Sequence, residues 1–334
     1  MRLYEFEGIE LFRREGIPVP EYALATSPEE AREKAQAIGL PVVLKAQVLT
    51  GGRWLAGGVE TAESLDDVQR ASRRILGSLI RGLPVHQIMV ASGVETAQEF
   101  YLSITVDDYL GMPLAILSAE GGVSIEGVAR AHPGLVVSRY VPAIKGLLPD
   151  AQQMAREAGL RGEELVRIAT ILRSLHSVFC KYDALVAEIN PLVRTVEGTY
   201  LALDAKVEID DSSLYRHPDL NLNLEDHILN PLERKGREIG VSYLELDGDI
   251  AIIASGAGLG MTTMDVIGQR MRPANFLETG GAITADLLYK VMDLVLQKKG
   301  VKAIFINIYG GINPIHEGAK GVVRYMQEHN IKLP

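Results

Sequence analysis

The stretch Glu188-Ile189-Asn190-Pro191-Leu192-Val193, followed after a Val196-Glu197-Gly198 turn by Leu201-Ala202-Leu203-Asp204-Ala205-Lys206, decides how the first two-thirds of this chain is read. Alternating apolar and polar residues mark two strands, because successive side chains of a strand point to opposite faces. The alternation places Leu185, Ala187 and Ile189 on one face and Glu188 and Asn190 on the other. In the second strand it sets Leu201 and Leu203 against Ala202, Asp204 and Lys206. Paired as a hairpin, the strands bring a carboxylate, a carboxamide, a second carboxylate and an ammonium onto one otherwise apolar surface. Two readings of that surface stand side by side. One is a magnesium site, since Mg2+ takes hard oxygen ligands, often one or two from protein with substrate phosphates supplying more. The other is a solvated face held by a salt bridge.

The rest of the chain narrows the choice of ligand. At 334 residues it is too long for one ordinary core, so two or three domains are expected. A net charge of −9 and a pI near 5.4 argue against an electrostatic grip on nucleic acid or an anionic membrane, which leaves small molecules. The single cysteine, Cys180, excludes an internal disulfide framework and falls in the apolar stripe of a helix, as a buried thiol does. No apolar run reaches the length of a membrane span, and the start, with Arg2, Glu5, Glu7, Glu10 and Arg13, is too acidic for a targeting peptide. A soluble, cytoplasmic protein is expected.

Local signals place the elements. The opening segment to Gly16 reads as a short amphipathic helix. Ser27-Pro28-Glu29-Glu30 starts another, with serine as cap, proline at the first helical position and Glu30 completing a capping box; Gly39 closes it before a strand at Pro41 to Val48. A glycine-rich loop covers 51–58. The spacing of Leu165, Ile168, Leu172, Leu175 and Phe179 predicts a helix over 162–181, with His176 half-buried beside the stripe. The charged segment Glu233 to Glu238 interrupts the pattern, and the domain boundary is set at 235/236. Beyond it, Asp249 to Ala254 and Val301 to Ile308 are near-continuous apolar strands of a buried parallel sheet. Each runs into a glycine-rich turn and a helix, at 254–260 and 307–313. Such turns can present helix N-termini to phosphate or carboxylate.

In its ordered motifs the chain resembles the succinyl-CoA synthetase β-subunit family of nucleoside-diphosphate-forming acyl-CoA synthetases. The motifs are Leu3-Tyr4-Glu5-Phe6, Lys45-Ala46-Gln47-Val48, Gly51-Gly52-Arg53, Gln87-Ile88-Met89-Val90, Glu99-Phe100-Tyr101-Leu102, Glu120-Gly121-Gly122, Glu188-Ile189-Asn190-Pro191, Leu203-Asp204-Ala205-Lys206, Gly256-Ala257-Gly258, Pro273-Ala274-Asn275-Phe276-Leu277 and Asn307-Ile308. The resemblance implies an α/β chain with an ATP-grasp domain, followed by a flavodoxin-like parallel-sheet CoA-ligase domain that is shortened at its C-terminus. It implies Mg2+, ATP or GTP, CoA and a small carboxylate. It also implies a partner α subunit carrying a phosphohistidine and most of the CoA site, so that no histidine here, His316 included, is the carrier. By the same resemblance Lys45, Gly52, Arg53 and Glu99 bind the nucleotide, Asn190 and Asp204 hold the metal, and Glu188 meets the visiting phosphohistidine. Ser255, Gly311, Ile312 and Asn313 belong to the phosphate and carboxylate site.

Three departures qualify the match. The family's Gly-Arg-Gly-Lys loop reads Gly52-Arg53-Trp54-Leu55, which loses a flexible glycine and a cation and should weaken the grip on phosphate. Ala91 stands where the nucleotide pocket has a glutamate, and Ser255 where the substrate site has an asparagine. These changes admit an alternative: a paralogue using another acid, such as malate or citrate, or a noncatalytic scaffold or regulatory subunit.

Overall fold

The computed structural model describes residues 1–122, 125–144, 148–222, 224–281, 283–310 and 315–334. The chain forms two compact units, Met1–Leu222 and Asn223–Pro334.

In the first unit, helix α1 (Glu5–Arg14) precedes strand β1 (Tyr22–Ala25), helix α2 (Pro28–Ile38) and strands β2 (Val42–Ala46) and β3 (Val59–Ala62). Helix α3 (Leu65–Ile75), a small hairpin of β4 (Leu79–Ile80) and β5 (Leu83–Pro84), and strand β6 (Ile88–Ser92) follow. The larger strands form an antiparallel sheet in the order β1-β6-β2-β3. Its period-2 alternation serves two cores. Leu44, Ala46, Ile88 and Val90 pack under α2 and α3, while Met89 and Ala91 join the large core on the other side. Lys45, between Leu44 and Ala46, is thereby aimed away from the helices. Ser27 caps α2 as expected, but Glu30 reaches one residue further back and accepts from Thr26 N at 2.8 Å, so the capping box closes on Thr26.

The second sheet is built from β7 (Thr96–Asp107), β8 (Met112–Ser118), β9 (Val136–Tyr140), β10 (Ala184–Thr195), β11 (Tyr200–Ala202) and β12 (Lys206–Ile209). Its order is β11-β10-β7-β8-β9, with β12 also on β10. Helices α4 (Ile125–Ala131) and α5 (Ala151–Glu157) lead to α6 (Gly162–Lys181), which lies against β10 and β7. The predicted stripe of α6 is its core face: Ile168, Leu172 and Leu175 are fully buried. His176 is more deeply placed than expected, fully buried with Nε2 2.7 Å from the Pro142 carbonyl, and its desolvated ring titrates below the ordinary value.

In the second unit, α7 (Pro231–Ile239), β13 (Ser242–Glu245), β14 (Ile250–Ala254), α8 (Ala257–Gly268), β15 (Asn275–Glu278), α9 (Ala285–Gln297), β16 (Ala303–Asn307) and α10 (Ile315–Glu328) surround a sheet of order β13-β15-β14-β16. Only β13 runs antiparallel. The charged segment 233–238 is helical, because Asn230 caps Leu232 N and Glu233 N and Pro231 opens the first turn. This helix packs on β13 and α9, with Lys235 2.6 Å from Asp293, which explains why the compact units part at 222/223 and not at 235/236. In strand β14 residues 251–254 are buried as read, whereas β16 is an edge strand whose Phe305 and Ile306 are exposed. No helix of the described residues is long and apolar enough to cross a membrane.

Candidate functional site

The opening hairpin forms, but in two pieces. β10 pairs with β11 through Leu192↔Ala202 and with β12 through Glu188↔Lys206, and the chain leaves the ladder at 203–205. That break shifts the alternation, so Ala202, Ala205 and Val207 are the buried residues, and Ala202 lies on the core side and not with Asp204. A register shift between Ala184 and Val186 turns Leu185 outward as well, while Ala187 and Ile189 are buried as expected.

The four polar groups of the hairpin do not converge on one point. Glu188 Oε2 accepts from the Tyr101 hydroxyl at 3.0 Å and lies 3.7 Å from Lys206 Nζ, a salt bridge of the kind the second reading of this surface allows. Asn190 Oδ1 accepts from Gly122 N at 2.9 Å. Asp204 Oδ1 accepts from Arg53 Nη2 and from Ala205 N, each at 2.8 Å. Among the described residues no three His, Cys, Asp or Glu side chains converge as a metal centre. Asp204 and Asn190 each carry a hard oxygen of the kind Mg2+ takes, engaged here by Arg53 and Ala205 N and by Gly122 N respectively.

Lys45 and Arg53 meet at a carboxylate with no assigned role in the sequence reading. Glu5, in the first turn of α1, lies 3.0 Å from Lys45 Nζ through Oε1 and 2.6 Å from Arg53 Nη1 through Oε2. Lys45 also donates to the Leu203 carbonyl, and Arg53 Nη1 donates to the Ala46 carbonyl at 3.1 Å. Burial pushes the Glu5 carboxyl up, but Lys45 and Arg53 outweigh it and hold the group below its ordinary value; Arg53 is correspondingly raised. Partial desolvation and then the charge of Glu5 push Asp204 the other way, above its ordinary value. The signal available in sequence was Lys45 itself, a cation inside an apolar strand that demands a buried anion. Finding Glu5 needed the packing of α1 beside β2.

Gly52 has φ +66°, and a Cβ there would stand 2.5 Å from the Arg81 guanidinium, which borders the loop from the tip of the β4–β5 hairpin. Trp54 and Leu55, which replace the family's glycine and lysine, are 67% and 86% exposed, so their bulk stands in solvent and not among the charged groups. Ala91 is buried in the large core. Glu99, on β7, has its carboxylate against Gly122 of the segment Glu120-Gly121-Gly122. A Cβ on Gly121 would collide with the Phe100 backbone, and one on Gly122 with the Glu99 carboxylate. Gly122 therefore touches both Glu99 and Asn190.

In the second unit the Ser255 hydroxyl accepts from Tyr309 N at 3.0 Å, which joins the two glycine-rich turns. Gly256, at φ +106°, is the N-cap of helix α8. Gly311, Ile312 and Asn313 lie outside the described residues. His316 is exposed beside Glu317, at 3.3 Å.

Two family models match the chain, an ATP-grasp domain over residues 2–194 and a CoA-ligase domain over 253–334. The matches define an ATP-grasp domain followed by a CoA-ligase domain. The chain is 42% identical over 336 residues to the succinate–CoA ligase [ADP-forming] β subunit of Rubrobacter xylanophilus, covering all of this chain and 88% of that protein. It is 41% identical to the [GDP-forming] β subunit of Thermus thermophilus, covering 89% of that protein. It belongs to the family of succinate–CoA ligase β subunits. The fold is shared with an ATP citrate lyase from Methanothrix soehngenii, at a TM-score of 0.68 and 18% identity over 98% of this chain and 85% of that one. A dinucleotide-forming acetyl-coenzyme A synthetase from Ca. Korarchaeum cryptofilum matches 63% of this chain and 93% of its own, at a TM-score of 0.52 and 24% identity.

Proposed function

We propose that the chain is the nucleotide-binding β subunit of an ADP- or GDP-forming succinate–CoA ligase, active with an α subunit. The observation that carries this reading is the charged cluster in which Lys45 and Arg53 share Glu5 and Arg53 also meets the more exposed Asp204, in a chain alike along its whole length to such subunits. Lys45 and Arg53 take the nucleotide phosphates, Gly52 lets the loop backbone approach them, and Glu99 faces the nucleoside. Asn190 and Asp204 hold Mg2+, which when bound neutralises phosphate charge. The terminal phosphoryl group passes to an imidazole nitrogen of the α subunit, releasing the nucleoside diphosphate. Glu188, oriented by Tyr101, meets that imidazole and favours its charged form. A succinate oxygen then takes the phosphoryl group from histidine, and the CoA thiolate attacks the acyl carbon and expels phosphate. Ser255, Gly311, Ile312 and Asn313 form the β-subunit side of this second site, where backbone N–H groups at a helix start suit anions.

The retained charged cluster and the names of the relatives favour this over a noncatalytic scaffold or a citrate- or malate-using paralogue. The test is to combine the protein with its cognate α subunit and assay succinyl-CoA formation and phosphate turnover with ATP and GTP. Turnover with succinate that is lost in Asp204→Ala supports the reading. Absence of turnover with either nucleotide, together with no nucleotide-induced rise in melting temperature, refutes it.

A further inference from the structure

We propose that Glu5 is a positioning residue of the nucleotide pocket, a buried carboxylate that holds Lys45 and Arg53 in the geometry in which they receive phosphate. The inference rests on the nucleotide-binding reading above and assigns a role to a residue outside the family's contact set described there.

Both Glu5 oxygens are engaged, Oε1 by Lys45 Nζ at 3.0 Å and Oε2 by Arg53 Nη1 at 2.6 Å, with Gln47 Nε2 also on Oε2 at 3.3 Å. The start of α1 adds a helix N-terminus that favours the anion. What separates Glu5 from an ordinary structural ion pair is its contrast with Asp204, the other carboxylate on Arg53. The Glu5 side chain is 1% exposed and that of Asp204 is 42% exposed. A ligand arriving from solvent can take Asp204 from Arg53 but cannot reach Glu5. When Asp204 turns to a ligand, Arg53 keeps Nη1 on Glu5 and frees Nη2. Lysine carries three ammonium donors; Glu5 and the Leu203 carbonyl take two, and one remains. The arrangement leaves one guanidinium edge and one ammonium hydrogen for phosphate oxygens while fixing the rest of both side chains. Without Glu5 the two cations would have to share Asp204, and the lone accessible carboxylate would compete directly with the phosphates.

The test uses the full-length chain carrying Glu5→Gln, Glu5→Asp, Lys45→Met or the double change Glu5→Gln/Lys45→Met. Affinity for Mg–ATP and Mg–GTP is measured by calorimetry, and KM for each substrate with the α subunit present. Glu5→Gln should weaken nucleotide binding at least about tenfold while KM for succinate and CoA is unchanged. Glu5→Asp should recover part of the loss, and the double variant should lose less than the sum of the two single losses, because Glu5 acts partly through that lysine and partly through Arg53. Unchanged nucleotide affinity in Glu5→Gln, additive losses in the double variant, or equal losses for all three substrates would each overturn the proposal. If Glu5→Gln fails to fold, Glu5→Asp decides: a loss of about threefold confined to nucleotide supports the role, and none overturns it. A wild-type chain that binds neither nucleotide brings down the functional reading as well, whereas wild-type binding with indifferent Glu5 variants brings down this inference alone.

Discussion

Asp204→Asn should separate function from stability. In the ligand-free protein the substitution replaces the ion pair to Arg53, 2.8 Å long, by a hydrogen bond from the charged guanidinium to a neutral amide oxygen. Arg53 keeps Glu5 at 2.6 Å and the Ala46 carbonyl at 3.1 Å. With its side chain 42% exposed, the Asp204 pair is worth about 1 kcal/mol or less. The carboxyl is also held above its ordinary value, so folding disfavours its charge; this penalty is full above the folded pKa and fades as pH falls, and the amide removes it. For a unit of this size 1 kcal/mol corresponds to about 2–4 °C. The ligand-free melting temperature should therefore change by no more than about 3 °C in either direction. Binding behaves differently. Mg–nucleotide at a hundred times its Kd stabilises the wild type by about 2.7 kcal/mol, or about 5–10 °C, and Asp204→Asn should abolish that rise. Turnover with the α subunit should fall at least about a hundredfold. The assay is differential scanning fluorimetry with and without Mg–ATP or Mg–GTP, followed by succinyl-CoA synthesis. A ligand-free loss above about 5 °C, or a nucleotide-induced rise that survives, would refute the assignment.

Gly122→Ala introduces a Cβ into the Glu99 carboxylate at a backbone φ of +69°, so nucleotide affinity should fall several-fold by calorimetry while stability drops by about 1 kcal/mol. The Glu5 carboxyl is held below its ordinary 4.5, so its contribution to stability is complete above about pH 4.5 and lost as pH falls through the folded value. Acid titration of unfolding should show that loss, and Glu5→Gln should remove it. Gly321→Ala would drive a methyl group into the Ala285 carbonyl where α10 crosses α9; denaturant melts should show a loss of about 1–3 kcal/mol confined to the second unit. An unchanged midpoint for Gly321→Ala would mean that the two helices part without cost.

Signals that are local and periodic were legible before any coordinates. The stripe of α6 gave its ends to the residue, and the alternation left open the salt bridge that Glu188 makes with Lys206. Features set by breaks in a ladder were not. Leu185 faces outward because of a bulge, and Asp204 leaves the hairpin face because β11 and β12 are separate strands. The segment 233–238 looked like a linker because its charges masked a capped helix. Glu5 was the hardest to see. A glutamate at the start of a short amphipathic helix looks like a surface residue, and only the docking of α1 beside β2 and the 203–205 break makes it the anion that Lys45 requires.

Trp54 is the only tryptophan in the chain, adjoins Arg53 in sequence and is 67% exposed. The molecule thus carries an intrinsic fluorophore on the loop that supplies Arg53 to its charged cluster, with no competing indole elsewhere. In solvent its emission is red-shifted. A ligand that draws the loop down changes wavelength or intensity in step with occupancy, so the substitution that departs most visibly from the family's phosphate loop also makes that loop observable by stopped-flow optics without any label.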